Sequence, residues 1–193
     1  MIMKHIFILL SLFFTLSAFA DEEPKFITKY GDWKVYTQVE DGEKSCFILS
    51  YPIDEAGNYK KRGDAHLWVR YVNSSTDEVS ATTGYSAKSS TFPKMAIYSR
   101  LQFSEAKSKE LLEAARNGKC YSDSNVEYLL DLIQRQIAWF HENTTDEKVV
   151  QLMKKKYSAV ITATSSKNTC STDVYSLMGF TKAYNHMKSL CGS

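Results

Sequence analysis

The sequence predicts an antiparallel, mainly β domain with a helical excursion over about residues 104–136 and a helix at its C-terminal end. Three observations predict it. Several segments before residue 104 alternate apolar and polar side chains with a period of two. The period then changes to that of a helix. The last stretch, "DVYSLMGFTKAYNHMKSLCGS", runs from a strand-like alternation into an apolar helical face.

In chain order, residues 21 to 29 are a polar lead-in containing Pro24. "YGDWKVYTQV" puts Trp33 and Val35 on one face and Lys34 and Tyr36 on the other, the pattern of a half-buried strand. Asp41-Gly42 is the strongest short hairpin signal, and "SCFILSY" returns as a second strand. Pro52 and "DEAGNYKKRGD" read as a loop. "AHLWVRYV" alternates again, "NSSTDE" turns into "VSATTGYSA", and "MAIYSRLQF" is one more strand. Ser104 is placed to cap a helix over "EAKSKELLEAARNGK", with Gly118 just past its end. Ser124 and Glu127 have capping-box spacing, and Val126, Leu129, Leu130, Ile133 and Ile137 form a helical stripe behind them. Strand character returns near 137–140. Thr144 and Glu147 make a second capping box, opening "DEKVVQLMKKK". "SAVITATS" is short and β-branched, a buried strand. The final helix carries Phe180, Ala183, Tyr184, Met187, Leu190 and Cys191 on one face.

Residues 1–20, "MIMKHIFILLSLFFTLSAFA", read as a signal peptide. Lys4 gives the positive start, Ile6 to Phe14 the apolar run, and Ala18-Phe19-Ala20 the small-x-small cleavage pattern. The run is short for a spanning helix, and Asp21 rather than Cys follows the cut, so no lipid anchor is expected. Residues 21–193 are then one exported domain without a transmembrane segment. Lys and Arg number 24 against 22 Asp and Glu, which leaves no basic footprint for nucleic acid. Four cysteines, Cys46, Cys120, Cys170 and Cys191, behind an export signal point to two disulfides. Spacing leaves all three pairings open. No C-x-x-C or H-x-x-x-H spacing occurs, so neither a zinc site nor a cofactor is expected.

Two stretches carry a family resemblance. "YGDWKVYTQVEDGEKSCFILSYP" resembles the first hairpin of the invasion-associated locus B family of alphaproteobacterial exported proteins, through Gly31, Asp32, Trp33, Val35, Cys46, Phe47 and Pro52. "TDVYSLMGFTKAYNHMKSLC" is similar to the family's closing motif, through Asp173, Tyr175, Ser176, Leu177, Gly179, Phe180, Thr181 and Ala183. Arg62-Gly63, "LWVRYV", Gly84-Tyr85 and Ala138-Trp139 follow the family's order between them. The departure is about 104–136, which looks like an insertion and carries Cys120. Cys170 also departs, standing where a small or polar residue is expected. The resemblance implies a β-sandwich-like domain in the periplasm or at the outer membrane, or secreted. It implies a Cys46–Cys191 staple, beside which a private Cys120–Cys170 pair would tie the insertion down. It implies no catalytic site. In some pathogens the family is linked with host-cell entry.

Other chemistry is weakly signalled. Ser176, His186 and Asp173 supply the types for a hydrolytic triad, but no G-x-S-x-G elbow is present. His186, on the polar side of its helix, reads as solvated, and His66 and His141 stand alone. Trp33, Trp68 and Trp139 read first as core, second as a ligand-binding wall. Lys60-Lys61-Arg62 and Lys154-Lys155-Lys156 read as solvated runs with a weak reach for anionic lipid. Asn73-Ser74-Ser75 and Asn143-Thr144-Thr145 match the glycosylation sequon, which matters only in a eukaryotic secretory pathway. The expected function is therefore non-enzymatic, through protein or envelope contacts. The alternative is a periplasmic module binding a small apolar or lipidic ligand.

Overall fold

The computed structural model describes residues 23–73, 76–88, 90–120 and 127–192. The expected signal peptide (1–20), most of the Ser124 capping box and the serines of the first sequon lie outside them, as do the side chains of Asn143 and Thr144. Among the described residues, twelve strands form two antiparallel sheets. The first sheet has the spatial order β1 (Lys25–Tyr30), β2 (Trp33–Glu40), β3 (Glu43–Ser50), β5 (His66–Tyr71), β6 (Asp77–Thr82), β10 (Ile137–Trp139), β9 (Leu132–Gln134). The second runs β4 (Asp54–Gly57), β12 (Cys170–Ser176), β11 (Ser158–Thr164), β7 (Lys94–Tyr98), β8 (Glu127–Leu129).

Period-two alternation decides what faces inward. Trp33, Val35, Cys46, Ile48, Leu67, Val69, Val79 and Ala81 of the first sheet meet Met95, Ile97, Ala159, Ile161 and Tyr175 of the second in one core. Two helices complete that core. α2 (Asn143–Met153) adds Val149, Val150 and Met153, and α3 (Phe180–Cys191) adds Phe180, Ala183, Tyr184 and Met187. The far face of the second sheet is covered by α1 (Glu105–Arg116), whose Leu111, Leu112 and Ala115 pack on Ala56, Val160, Cys170 and Val174.

Local signals account for the clearest elements. Asp41 (φ 52°) and Gly42 (φ 81°) both lie in the left-handed region, as a two-residue hairpin turn between β2 and β3 requires. Ser104 accepts from Lys107 N at 3.2 Å and caps α1. Gly118 N donates to Ala115 O and Lys119 N to Ala114 O, closing the helix in a Schellman motif.

Four expectations need correction. The lead-in at 21–29 is largely β1, an edge strand with a register shift between Phe26 and Thr28 that hides its alternation. The loop after Pro52 contains β4, four residues defined by pairing with β12. The Val126–Ile137 stripe is not a described helix. It holds β8, β9 and the start of β10, which extend the open edges of β7 and β6, with Arg135 (φ 56°) in the turn between β9 and β10. Leu129 is exposed while Leu130 is fully buried, so the stripe never forms one face. Sheet-edge pairing overrides local periodicity there. Finally, α2 starts at Asn143 with Glu142 as N-cap and no side-chain cap bond, so Thr144 lies inside the first turn.

Asp146 links α2 to the first sheet. Its Oδ1 accepts from Val79 N at 2.7 Å, and the residue is almost wholly buried. Burial pushes its carboxyl up to about 7, the Val79 N–H opposes this, and the charges of Glu78 and Asp77 add to it. The folded state therefore holds a proton that the unfolded state loses between about pH 4 and 7. Stability falls as pH rises through that window, and the loss is complete above it, at about 4 kcal/mol at most. Asp146→Asn keeps an oxygen for Val79 and removes the titration. Its urea midpoint is expected to exceed the parent's at pH 8 and to match it near pH 4. Parallel pH profiles for the two proteins would overturn this.

Candidate functional site

The motif residues meet at one joint. Gly31 (φ 55°) and Gly179 (φ 88°) turn against each other, and Asp32 N donates to Met178 O at 3.1 Å. A Cβ on Gly31 would strike Met178 O, and one on Gly179 would strike Tyr30 O. Only glycine suits both the positive φ and the close approach. Trp33 Nε1 donates to Ser176 O at 3.0 Å, and its ring meets Phe180 edge-on at 4.9 Å. Leu177 N donates to Tyr157 O, and the Tyr175 ring is fully buried beneath. The joint fastens the first hairpin to the start of α3.

Both disulfides sit on this frame. Cys46 is bonded to Cys191, with Cα atoms 6.0 Å apart, joining β3 to the end of α3. Cys120 is bonded to Cys170, with Cα atoms 5.4 Å apart, joining the segment after α1 to β12.

Asp173 and Arg62 are brought together from distant parts of the chain. Both guanidinium Nη atoms of Arg62 donate to the Asp173 carboxylate, and Nη2 also reaches Glu55 Oε2 at 2.6 Å. The two side chains are 4% and 1% exposed, so Arg62 is not the solvated end that its basic run suggests. Burial pushes the Asp173 carboxyl up and the guanidinium pulls against it. Burial works against the Arg62 charge too, but the bonds to Asp173 and Glu55 more than offset it and its pKa rises. Tyr85 lies alongside, donating to Ala163 O at 3.0 Å and touching Ser171 Oγ at 2.5 Å, its phenol pushed up to about 12 by burial.

The triad types therefore have other partners. Asp173 is held by Arg62, Ser176 Oγ accepts from Met178 N at 3.1 Å, and His186 Nδ1 lies 3.1 Å from Tyr30 Oη. His186 is thus half-buried and partnered rather than solvated. Among the described residues, no three His, Cys, Asp or Glu side chains converge as a metal site, and no helix is long and apolar enough to cross a membrane.

The candidate site is the outer face of the first sheet. α2 and α3 both pack on its inner side. Outward-facing rings touch in sequence across the strands: Phe26 to Tyr36 at 5.7 Å, Tyr36 stacked on Phe47 at 5.2 Å, and Phe47 to Trp68 at 6.0 Å. The band continues through His66 to Tyr51. Beyond Trp68 lies a groove of about 290 Å³, bounded by Trp68, Phe47, Trp139, Gln38 and Gln134. Arg70 crosses it between Glu40 at 3.8 Å and Glu78 at 3.4 Å. Buried beneath this face, Trp68 Nε1 and His66 Nδ1 have no hydrogen-bond partner among the described residues. Burial lowers the His66 pKa, keeping that ring neutral. Of the three tryptophans, only Trp33 belongs to the core; Trp68 and Trp139 stand on this outer face.

The whole arrangement, two sheets with a terminal helix stapled to the first, is similar to a crystal structure of invasion associated protein B from Bartonella henselae. The match has a TM-score of 0.51 at 14% identity, and covers 88% of this chain and 97% of that one. The chain has the invasion associated protein B fold. No family model and no curated protein matches the sequence.

Two features of this invasion associated protein B-like fold escape a reading of the sequence. The Arg62–Asp173 pair is one; the strand CSTDVYS is polar enough that Asp173 does not stand out in it as buried. The outward tryptophan is the other. Its signal was present, because Leu67 and Val69 claim the inner face and alternation must send Trp68 outward.

Proposed function

We propose that this chain is an exported, non-enzymatic protein of the invasion-associated locus B type, acting through contacts with a protein or envelope partner, with host-cell entry the process it serves. The observation that carries this reading is the aromatic band on the outer face of the first sheet. Phe26 is 52% exposed at one end, and the rings continue across β2, β3 and β5. Phe26 and Tyr51 are exposed at the two ends of the band, Tyr36 and Trp68 are half-buried and Phe47 is buried between them, and aromatic residues are enriched at contact surfaces. The fold likeness and the two disulfides support export, because such bonds persist in oxidising compartments. The non-enzymatic reading is supported by the separate partners of Ser176, His186 and Asp173.

The test is capture of envelope vesicles and host plasma-membrane vesicles on the immobilised exported protein. Phe26→Ser, Tyr36→Ser and Trp139→Ala are each expected to reduce retention, while Lys109→Ala on α1 leaves it unchanged. Retention that ignores all three outer-face substitutions would overturn the reading.

A further inference from the structure

We infer that the groove on the outer face of the seven-stranded sheet binds carbohydrate, as a short run of uncharged sugar units; this rests on the reading of that face as the contact surface and names its partner's chemistry. The strand register sets up the slot. Trp68 and Trp139 are both paired with Ser80, from opposite sides of β6. Two indoles thus flank a small residue at a backbone separation of about 10 Å, two strand spacings. A pyranose ring has a face of polarised C–H groups, and the negative face of an aromatic ring attracts such hydrogens.

The polar lining matches the rest of a sugar. Glu40, Glu78, Gln38, Gln134 and Arg70 are all planar groups with two forked polar atoms. Neighbouring sugar hydroxyls each donate and accept, and such forks meet them in pairs. The charge is also fitting. Arg70 is shared by Glu40 and Glu78, so the slot between Trp68 and Trp139 holds no surplus cation for a phosphate or an anionic lipid head; Arg135 lines only the continuation past Trp68. An acyl chain would bury these polar groups without partners, which is costly. The groove is open and continues past Trp68 along Gln134 to Gln136, a trough that reads a chain along its length.

The test uses the exported protein with soluble tetrasaccharides of glucose, galactose, mannose and N-acetylglucosamine, followed by tryptophan fluorescence and saturation-transfer NMR. At least one is expected to bind, with little dependence on salt. Trp139→Ala is expected to weaken it by about tenfold or more, and Gln134→Ala by a smaller factor, with urea midpoints confirming that both variants fold. Absence of binding at millimolar sugar, or affinity unchanged in folded Trp139→Ala, would overturn the inference. If sugars fail while Trp139→Ala still abolishes vesicle capture, the carbohydrate inference falls and the contact surface stands. If Trp139→Ala alters neither, the carbohydrate inference falls, and the contact surface falls with it when Phe26→Ser and Tyr36→Ser also leave vesicle capture unchanged.

Discussion

Replacing Cys46 and Cys191 together with alanine is expected to lower stability by about 4–5 kcal/mol. The bond closes a loop with a sequence separation of 145, so it removes a large part of the unfolded chain's freedom. Native packing at the bond is otherwise good. Cys46 is fully buried in β3, α3 lays Phe180, Ala183 and Met187 into the core, and Lys44 Nζ donates to Leu190 O at 2.8 Å. The loss is therefore expected in the unfolded state, with little change in the folded structure. Urea denaturation of the oxidised parent and the double variant measures it. Non-reducing peptide mass spectrometry should first show the 46–191 and 120–170 linkages in the parent. A stability loss under about 1 kcal/mol, or a 46–120 linkage, would sink this account. The consequence for function is a matter of compartment: without an oxidising environment the first hairpin and the end of α3 are joined by packing and the Lys44–Leu190 hydrogen bond.

How much of this was legible depends on the range of the forces involved. The β2–β3 hairpin was legible because both of its determinants are local, the alternation from Trp33 and the Asp41-Gly42 turn. The same holds for α1, where Ser104 and Gly118 mark the ends. β1 was hidden by its register shift between Phe26 and Thr28, and β4 and β8 are short and take their hydrogen bonds from distant strands; strand character near β10 was legible, but its pairing with β6 was not. Gly31 and Gly179 were visible as motif positions, but their reason was not. Neither has room for a Cβ because the other's turn lies against it, a fact of tertiary approach rather than of either segment. On the candidate site, alternation carried the signal that sets Trp68 opposite Leu67 and Val69, yet the ring reads first as core. The partner across β6 was not legible, because Trp139 meets Ser80 only through the pairing of β10 with β6, a contact between segments far apart in the chain.

Arg62→Met is expected to cost about 3–5 kcal/mol, although it removes a residue from a loop. The substitution leaves the Asp173 carboxylate 1% exposed in a low-dielectric core with its main counter-charge gone. Its remaining options are to take a proton or to draw in water, and both carry a cost. Arg62→Met/Asp173→Leu is expected to recover most of the loss, because desolvating two charges cancels much of their attraction. What the pair supplies is then position rather than net stability. The segment between β4 and β5 crosses from the second sheet to the first. Arg62 pins it to β12, while Gly63 N donates to Gly84 O at 2.9 Å one residue on. Hydrogen exchange separates the two roles. In the double variant, β4 amides are expected to lose protection even where the urea midpoint is restored. A single variant within about 1 kcal/mol of the parent, or a double variant with β4 fully protected, would show that the crossing is held by its backbone contacts instead. Because β5 carries Trp68 directly after this crossing, the pair also sets where the wall of the groove begins. A loosened crossing should therefore weaken ligand binding at Trp68 without any change to a residue that lines the groove.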